Sequence, residues 1–158
     1  MIKRKEIYFH LEGDGVLQNK DEILETKIYK PRFSDNIHTF LWKLTSLLLR
    51  GSYLEYQLWR DDKLLSKAEV ITWLPVFCFM PKKGIHIGPC RTIPEERGKG
   101  YYPYLLRQII NRDPTQDYYM IVNDNNLSSI KGVEKAGFRR FAWGIKTRMG
   151  RYVIKGAL

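Results

Sequence analysis

A basic, glycine-rich turn at residues 97–100 is the part of the sequence whose residue types point most directly to chemistry. Arg97 and Lys99 are charged, while Gly98 and Gly100 lack a Cβ and so allow positive φ angles and a close approach of a ligand to the backbone. The residues after the turn have the apolar spacing of a helix. Because a helix N-terminus offers free N–H groups and the positive end of a dipole, the segment predicts a phosphate or pyrophosphate site. An ordinary basic surface turn is the alternative.

The common nucleotide-binding loops do not account for this turn. The Walker pattern G-x-x-x-x-G-K-[ST] is absent, since Gly100 is followed by Tyr101, and the dinucleotide pattern G-x-G-x-x-G is excluded by Pro103. Proline is tolerated in the first turn of a helix, because the first N–H groups have no intrahelical partner. Pro103 therefore fits a helix that begins near Gly100.

The elements that must position this turn follow from the pattern of apolar and turn residues along the chain. We predict strands at Lys5–Leu11, Thr26–Pro31, Tyr53–Arg60, Leu64–Met80, Ile85–Thr92 and Tyr118–Val122, and a closing hairpin within Phe138–Ile154. Helices are predicted from Ser34 or Asp35 to Arg50, after Gly100, and from Leu127 to Ala136. This order of strands and helices predicts an α+β fold built on a mixed sheet.

The segment PEERGKGYYPYLL resembles the first signature of the GNAT superfamily of N-acetyltransferases. That signature, [RQ]-x-x-G-x-[GA], falls on Arg97–Tyr102, with Pro94 and Glu95 before it and two leucines after it. Tyr102 departs from the signature, because the family has a small residue at this position.

A second segment, Asn123–Phe138, resembles the later signature of the same family, N-x-x-A-x-x-x-Y-x-x-x-G-F. Asn126 falls on its Asn, Ser129 on its Ala, and the last two residues on its G-F. Val133 stands where the family has its Tyr. The two signatures occur in the expected order, and together they extend over the second half of the chain.

The resemblance implies a single GNAT-like domain over residues 1–158. Its sheet would be mixed and mostly antiparallel, flanked by helices, with a V-shaped splay between two central parallel strands, Ile85–Thr92 and Tyr118–Val122. Acetyl-CoA would bind in the splay as co-substrate, with no metal. The expected cofactor-binding residues are Cys90, Arg91, Thr92, Arg97, Gly98, Lys99, Gly100, Tyr101, Tyr102, Asn126 and Ser129. Gly88-Pro89 fits a bulge in the first of these strands, or a simple edge kink.

The implied reaction is direct attack of a neutral amine on the thioester in a ternary complex, with a strand N–H near Cys90 stabilising the oxyanion. His86 is our candidate base, since it is predicted to share a strand face with Gly88 and Cys90; Glu55 and Glu69 are other candidates. Val133 cannot serve as the family's acidic Tyr. Another tyrosine could protonate the thiolate, the thiolate could leave unassisted, or catalysis could be lost.

Composition limits the partners. The chain has 158 residues, a net charge of +10 and two cysteines without a C-x-x-C pair, and its three histidines are too scattered to predict a metal site. The basic residues form no run of five or more, which argues against nucleic acid, although basic surfaces attract anions generally. No apolar run approaches a membrane span and the N-terminus lacks a signal-peptide pattern, so we expect a cytoplasmic protein.

The acceptor is the least determined partner. The basic balance favours an anionic small amine such as an amino sugar on a nucleotide carrier, and a peptide or polyamine amine is the alternative. A non-catalytic module that binds acyl-CoA or nucleic acid on the same fold is the competing function. Formation of a homodimer is left open.

Overall fold

The computed structural model describes residues 5–12, 24–32, 43–44, 47–48, 51–72, 77–147 and 152–158. Eight strands lie in this part of the chain: β1 (Lys5–Leu11), β2 (Glu25–Tyr29), β3 (Tyr53–Arg60), β4 (Lys63–Thr72), β5 (Ile85–Thr92), β6 (Tyr118–Asn123), β7 (Arg139–Lys146) and β8 (Tyr152–Ala157). Two helices with described bounds follow β5 and β6, namely α1 (Tyr101–Arg112) and α2 (Leu127–Lys135), and a 3₁₀ turn covers Pro94–Glu96.

The eight strands form one sheet in the order β2-β3-β4-β5-β6-β1-β7-β8. Every neighbouring pair is antiparallel except β5 and β6, which are parallel. The predicted α+β fold with a mixed, mostly antiparallel sheet is therefore confirmed. The parallel pair is possible because α1 lies between β5 and β6 in the sequence and returns the chain to the same end of the sheet.

Apolar residues on the two faces of the sheet form two separate cores. The helix-side core packs α1 and α2 on the sheet, and its largest fully buried side chains include Phe9, Leu58, Leu65, Ile87, Leu105 and Leu106. The aromatic core on the opposite face consists of Tyr8, Tyr53, Ile71, Phe77, Phe79, Met80, Tyr119 and Ala142. Residues alternate between the faces of a strand, so one strand can feed both cores.

Strand β1 lies inside the sheet although it is the first strand in the sequence. It pairs antiparallel with β6 on one side and with β7 on the other. Its side chains alternate, with Ile7 and Phe9 in the helix-side core and Tyr8 in the aromatic core. The strand therefore joins two segments that follow it by more than a hundred residues.

The predicted strand Leu64–Met80 is too long. Strand β4 ends at Thr72, and Phe77–Met80 is a turn that buries Phe77 and Phe79 in the aromatic core. A buried turn and a buried strand both give a short apolar run, so periodicity alone does not separate them. The intervening residues 73–76 lie outside the described part.

The predicted helix from residues 34 or 35 to Arg50 falls mostly outside the described residues. Lys43, Leu44, Leu47 and Leu48 are described, and all four are helical. The other predicted elements agree with the structure to within a few residues at their ends, as is usual for helix and strand boundaries.

Candidate functional site

The parallel strands β5 and β6 separate after a short contact. They pair only at Ile85 with Tyr118 and at His86 with Tyr119, whereas β5 continues to Thr92 beside β4 alone. From residue 87 onward, the β6-facing edge of β5 therefore has no strand partner within the described chain. Unpaired backbone N–H and C=O groups require other partners, and an extended ligand can supply them. This is the predicted V-shaped splay.

A bulge in β5 changes which side chains face the splay. Ala68 of β4 is opposite Cys90 and Val70 is opposite Ile87, so Gly88 and Pro89 together face one residue of β4. The predicted bulge is therefore present. The extra residue resets the alternation of side chains, so that Ile87 and Cys90 both contact the helix-side core.

His86 consequently points to the opposite face of the sheet from Cys90, and the predicted shared face is wrong. Its ring lies 5.0 Å from the ring of Phe77 and 5.5 Å from that of Phe79, both in the aromatic core. Burial lowers the pKa of His86 to about 4. Its Nδ1 has no hydrogen-bond partner among the described residues. A role for His86 as base stays a prediction, and the apolar rings around it disfavour the charged form that a base must adopt.

The glycine turn has the backbone that the sequence predicted. Gly98 and Gly100 have φ angles of 80° and 89°, in the left-handed region, and Gly100 is the N-cap of α1. A Cβ added to either glycine would meet no atom within 4 Å, so the turn is open to a ligand. Within the described chain, the N–H groups of residues 98–100 donate to no backbone carbonyl. Arg97 Nε donates to the Thr92 carbonyl at 3.3 Å, which joins the turn to the end of β5.

Glu96 anchors the turn and was not singled out from the sequence. Its side chain is 6% exposed, and its carboxylate accepts from Lys63 Nζ at 2.7 Å and from Lys99 Nζ at 2.9 Å, with Arg60 at 3.9 Å. The hydrogen bond from Lys63, followed by that from Lys99, lowers the pKa of Glu96 to about 2. The carboxylate therefore ties the turn to the start of β4. No local sequence pattern predicts this contact, because Lys63 lies 33 residues before Glu96.

The depressed pKa of Glu96 predicts a pH dependence of stability. An ordinary glutamate titrates near 4.3, so the stabilisation from charged Glu96 should be complete above about pH 5 and disappear as the pH falls towards 2. The difference in free energy of unfolding between wild type and Glu96→Gln should shrink over this range, as measured by urea denaturation at several pH values. Glu134→Gln, which removes an exposed partner of Arg140, is the control and should show little effect. A difference that stays constant from pH 7 to 2.5 contradicts the assignment.

The start of α2 faces the glycine turn across a cleft. Asn126 caps α2, and its Oδ1 accepts from the backbone N–H of Ser129 at 3.2 Å and from Ser128 Oγ at 3.0 Å. This bond satisfies one of the N–H groups that a helix leaves free in its first turn. Asn126 and Ser129 are thus held together as a helix cap at the cleft wall.

The cleft has a volume of about 760 Å³ and brings together most of the predicted cofactor-binding residues. Its lining includes Cys90, Arg91, Thr92, Arg97, Gly98, Gly100, Tyr101, Tyr102, Asn126 and Ser129. Lys99 and His86 do not line it. Sequence reasoning missed Lys131 and Lys135 on its far wall, although their spacing places both on one face of α2. Cations on both walls make the cleft suitable for an anionic ligand.

Tyr102 crosses this cleft. Its phenol lies beside the Cys90 thiol on β5, and its ring lies against Gly132 of α2. Burial raises the pKa of the Cys90 thiol to about 12, although the neighbouring Tyr102 hydroxyl opposes this effect. Burial also raises the pKa of Tyr102 well above its ordinary value. Both groups therefore remain protonated and neutral at neutral pH.

Glu69 approaches the same region from the other face of the sheet. It lies on β4 opposite the bulge in β5, and one of its carboxylate oxygens accepts from Tyr53 Oη at 2.8 Å. Its negative charge reaches the Cys90 thiol and is one of the influences that raise the pKa of Cys90. Glu55, directly across from it on β3, is held by Lys67 at 2.7 Å and by Gln57. Glu69 is therefore the candidate carboxylate nearer the splay.

Neither a metal site nor a membrane-spanning helix is found in the described part of the chain. No cluster of three or more His, Cys, Asp or Glu side chains there could hold a metal ion. Among the same residues, no helix is both long enough and apolar enough to cross a membrane.

Comparison with known proteins gives a result for structure alone. No family model matches the sequence, and no curated protein matches it. A protein assigned to the GNAT family of acetyltransferases, from Novosphingobium aromaticivorans, superposes with a TM-score of 0.56 and 18% identity over 90% of this chain and 62% of its own. A GNAT-family acetyltransferase from Colwellia psychrerythraea superposes with a TM-score of 0.54 and 16% identity over 91% and 55% of the two chains.

A conserved protein of unknown function from Staphylococcus epidermidis is also similar, with a TM-score of 0.58 and 7% identity over 90% of this chain and 60% of its own. The present chain thus spans about three-fifths of the length of these structures. At sequence identities this low, the superpositions show the fold alone, and the activity has to be argued from the site. With its one splayed parallel pair and the glycine turn at the start of α1, this chain has the fold of the GNAT family of acetyltransferases.

Proposed function

We propose that the protein transfers an acetyl group from acetyl-CoA to a primary amine of a small molecule. The observation that carries the proposal is the splay of β5 from β6, which ends beside the open glycine turn. A ligand with an anionic end and an extended amide-bearing arm fits both features. Its phosphates would meet free N–H groups at a helix N-terminus, and its arm would pair with the free edge of β5.

The residues present fit acetyl-CoA. The N–H groups of residues 98–102 would hold the pyrophosphate, supported by Arg97 and by the lysines of α2. The free edge of β5 at Cys90, Arg91 and Thr92 would hold the pantetheine arm and place the thioester near Cys90. A backbone N–H aimed at the thioester oxygen there would stabilise the oxyanion that forms during attack.

We propose Glu69 as the group that receives the proton of the acceptor amine. It lies on the face away from the helices, close to Cys90, and Tyr53 holds its carboxylate in position. His86 lies on the same face, but its ring packs against Phe77 and Phe79, and burial lowers its pKa, so the imidazolium that would form there is poorly stabilised. A carboxylate can instead act through a bound water, or accept the proton as the new bond forms.

The family has its Tyr at the position of Val133, which carries no acidic group and is fully buried in the helix-side core. The departing thiolate therefore has no proton donor at this position. Tyr102 is the tyrosine beside Cys90, and its raised pKa makes proton donation to a thiolate of pKa near 8.5 unfavourable. We therefore propose that the thiolate leaves without a tyrosine acid.

The nature of the acceptor follows from charge. The net charge of +10 supports an anionic small amine, such as an amino sugar on a nucleotide carrier, over a polyamine. A panel that contains amino sugars, nucleotide-linked amino sugars, peptides and polyamines would separate these classes by release of free thiol from acetyl-CoA.

Calorimetric titration of acetyl-CoA into wild type and Gly100→Trp, at fixed salt, tests the proposal. Wild type should bind with micromolar affinity. Gly100→Trp should reduce affinity at least 100-fold, because the indole would fill the open side of the turn and its φ of 89° disfavours any side chain. Gly137→Trp is the matched control, since Gly137 has a φ of 100°, is exposed after the end of α2 and is not one of the residues that line the cleft.

Each outcome has a definite meaning. Binding that Gly100→Trp alone abolishes, together with turnover of an amine in the panel, supports the proposal. Binding without turnover of any amine favours the non-catalytic acyl-CoA-binding module. Absence of binding in wild type overturns the proposal and brings nucleic acid and other anionic partners forward.

A further inference from the structure

The phenol of Tyr102 stands across the cleft that the proposed co-substrate would follow. Tyr102 belongs to the first turn of α1, directly after the glycine turn. Its hydroxyl meets Cys90 on β5 and its ring lies on Gly132 of α2, so one side chain connects three of the walls. A ligand that enters at the glycine turn and continues towards the splay must pass this phenol.

Gly132 leaves the space in which the Tyr102 ring lies. It lies within α2, where glycine is less favourable than alanine. A Cβ added at this position would come within 2.5 Å of Tyr102 Cδ1 and 2.8 Å of its Cε1. These contacts are too short for any side chain, so the ring can lie here only because residue 132 has none. The unfavourable helical glycine is thus explained by the tyrosine that it accommodates.

We infer that Tyr102 is a specificity-determining residue, whose phenol closes the cleft between Cys90 and Gly132 and must be displaced by any ligand arm that extends from the glycine turn into the splay. This inference rests on the proposed use of acetyl-CoA. It distinguishes two parts of the ligand. The phosphate end meets the turn whether or not the phenol moves, whereas the arm enters only after the phenol has moved away from Cys90 and Gly132.

Two ligands distinguish these parts. Adenosine 3′,5′-bisphosphate has the phosphate end of CoA without the arm, and CoA has both. Calorimetry with each ligand would be applied to wild type, Tyr102→Ala, Gly132→Ala and the double variant. Gly132→Ala keeps the tyrosine but places a Cβ where the ring lies, and alanine suits the helix interior better than glycine. It therefore displaces the phenol by a second route.

The expected result is specific to the arm. Tyr102→Ala should raise the affinity for CoA about fivefold, because the phenol no longer has to be displaced before the arm can bind. Gly132→Ala should change CoA affinity in the same direction, and the double variant should gain nothing beyond Tyr102→Ala. The affinity for adenosine 3′,5′-bisphosphate should stay within about twofold in all variants, since no phosphate contact changes.

A fall in CoA affinity in Tyr102→Ala, with the bisphosphate unaffected, overturns the inference, because the phenol would then hold the arm rather than obstruct it. Equal gains for both ligands also overturn it, because the effect would not be confined to the arm. If neither ligand binds any of the four proteins, the proposed function fails together with the inference. This result differs from the two above, in which CoA still binds.

Discussion

Glu69→Gln is expected to lower kcat by about 10²- to 10⁴-fold, the usual contribution of a general base, and to leave the affinity for acetyl-CoA unchanged. Glutamine keeps the size and the hydrogen bond from Tyr53 but cannot accept the proton of the amine. The deficit should shrink as the pH rises towards the pKa of the acceptor amine, near 10, because more of the acceptor then arrives neutral. Thiol release with the best acceptor of the amine panel measures both effects.

Glu55→Gln is the matched control for this experiment. Glu55 lies directly across from Glu69 on β3, but Lys67 and Gln57 already hold its carboxylate. We expect kcat to change by less than about threefold, since Glu55 is already held in an ion pair with Lys67 and takes no part in the proposed proton transfer. A larger loss in Glu55→Gln than in Glu69→Gln would assign the base to β3 instead. An equal deficit at every pH would show that Glu69 acts on structure rather than on the proton.

Phe9→Ala is expected to lower the free energy of unfolding by about 3–5 kcal/mol, the usual loss for a large aromatic side chain in a core. Phe9 is fully buried in the helix-side core on β1, between β6 and β7. A cavity at this point weakens the strand that connects both halves of the sheet. For a domain of this size the melting temperature should fall by about 6–20 °C. Urea denaturation followed by circular dichroism measures the change.

Val153→Ala supplies the comparison. Val153 lies on β8 at the edge of the sheet and is 36% exposed, so we expect a change within about 0.5 kcal/mol. A loss below 1 kcal/mol for Phe9→Ala would be incompatible with a central position of β1. A loss as large for Val153→Ala would indicate that this edge is buried against another molecule.

Local features of the site could be predicted from the sequence because their causes are local. Two glycines within three residues allow left-handed backbone, and a following 3.6-residue periodicity specifies a helix, so the turn at residues 97–100 and the start of α1 were both recognised. The helix from Leu127 was recognised for the same reason, with Asn125 or Asn126 as its expected cap, and in the structure Asn126 is the cap, with its partner Ser129 three residues away. Strand β5 has the bounds that its composition predicted, and the splay from β6 came from the resemblance in the two signatures.

Contacts between distant segments could not be predicted, because no periodicity relates their residues. Lys63 and Glu96 meet only when β4 lies beside the turn, and Tyr102 and Gly132 meet only when α1 packs on α2. The bulge at Gly88 was anticipated, but its effect was not: an extra residue opposite β4 moved Cys90 to the helix side and left His86 on the other face.

The sequence by itself determined the glycine turn, the helix after it and the apolar faces of the strands, since each depends on neighbours within one or two turns of chain. Only the tertiary structure decided that β1 lies between β6 and β7, that Glu69 lies near Cys90 whereas the His86 ring packs against Phe77 and Phe79, and that the Tyr102 ring lies against Gly132. The physical reason is that these arrangements depend on burial and on pairing across the sheet. Residues become partners there because their shapes fit and because contact removes water from them, whether they are near or far apart in the sequence.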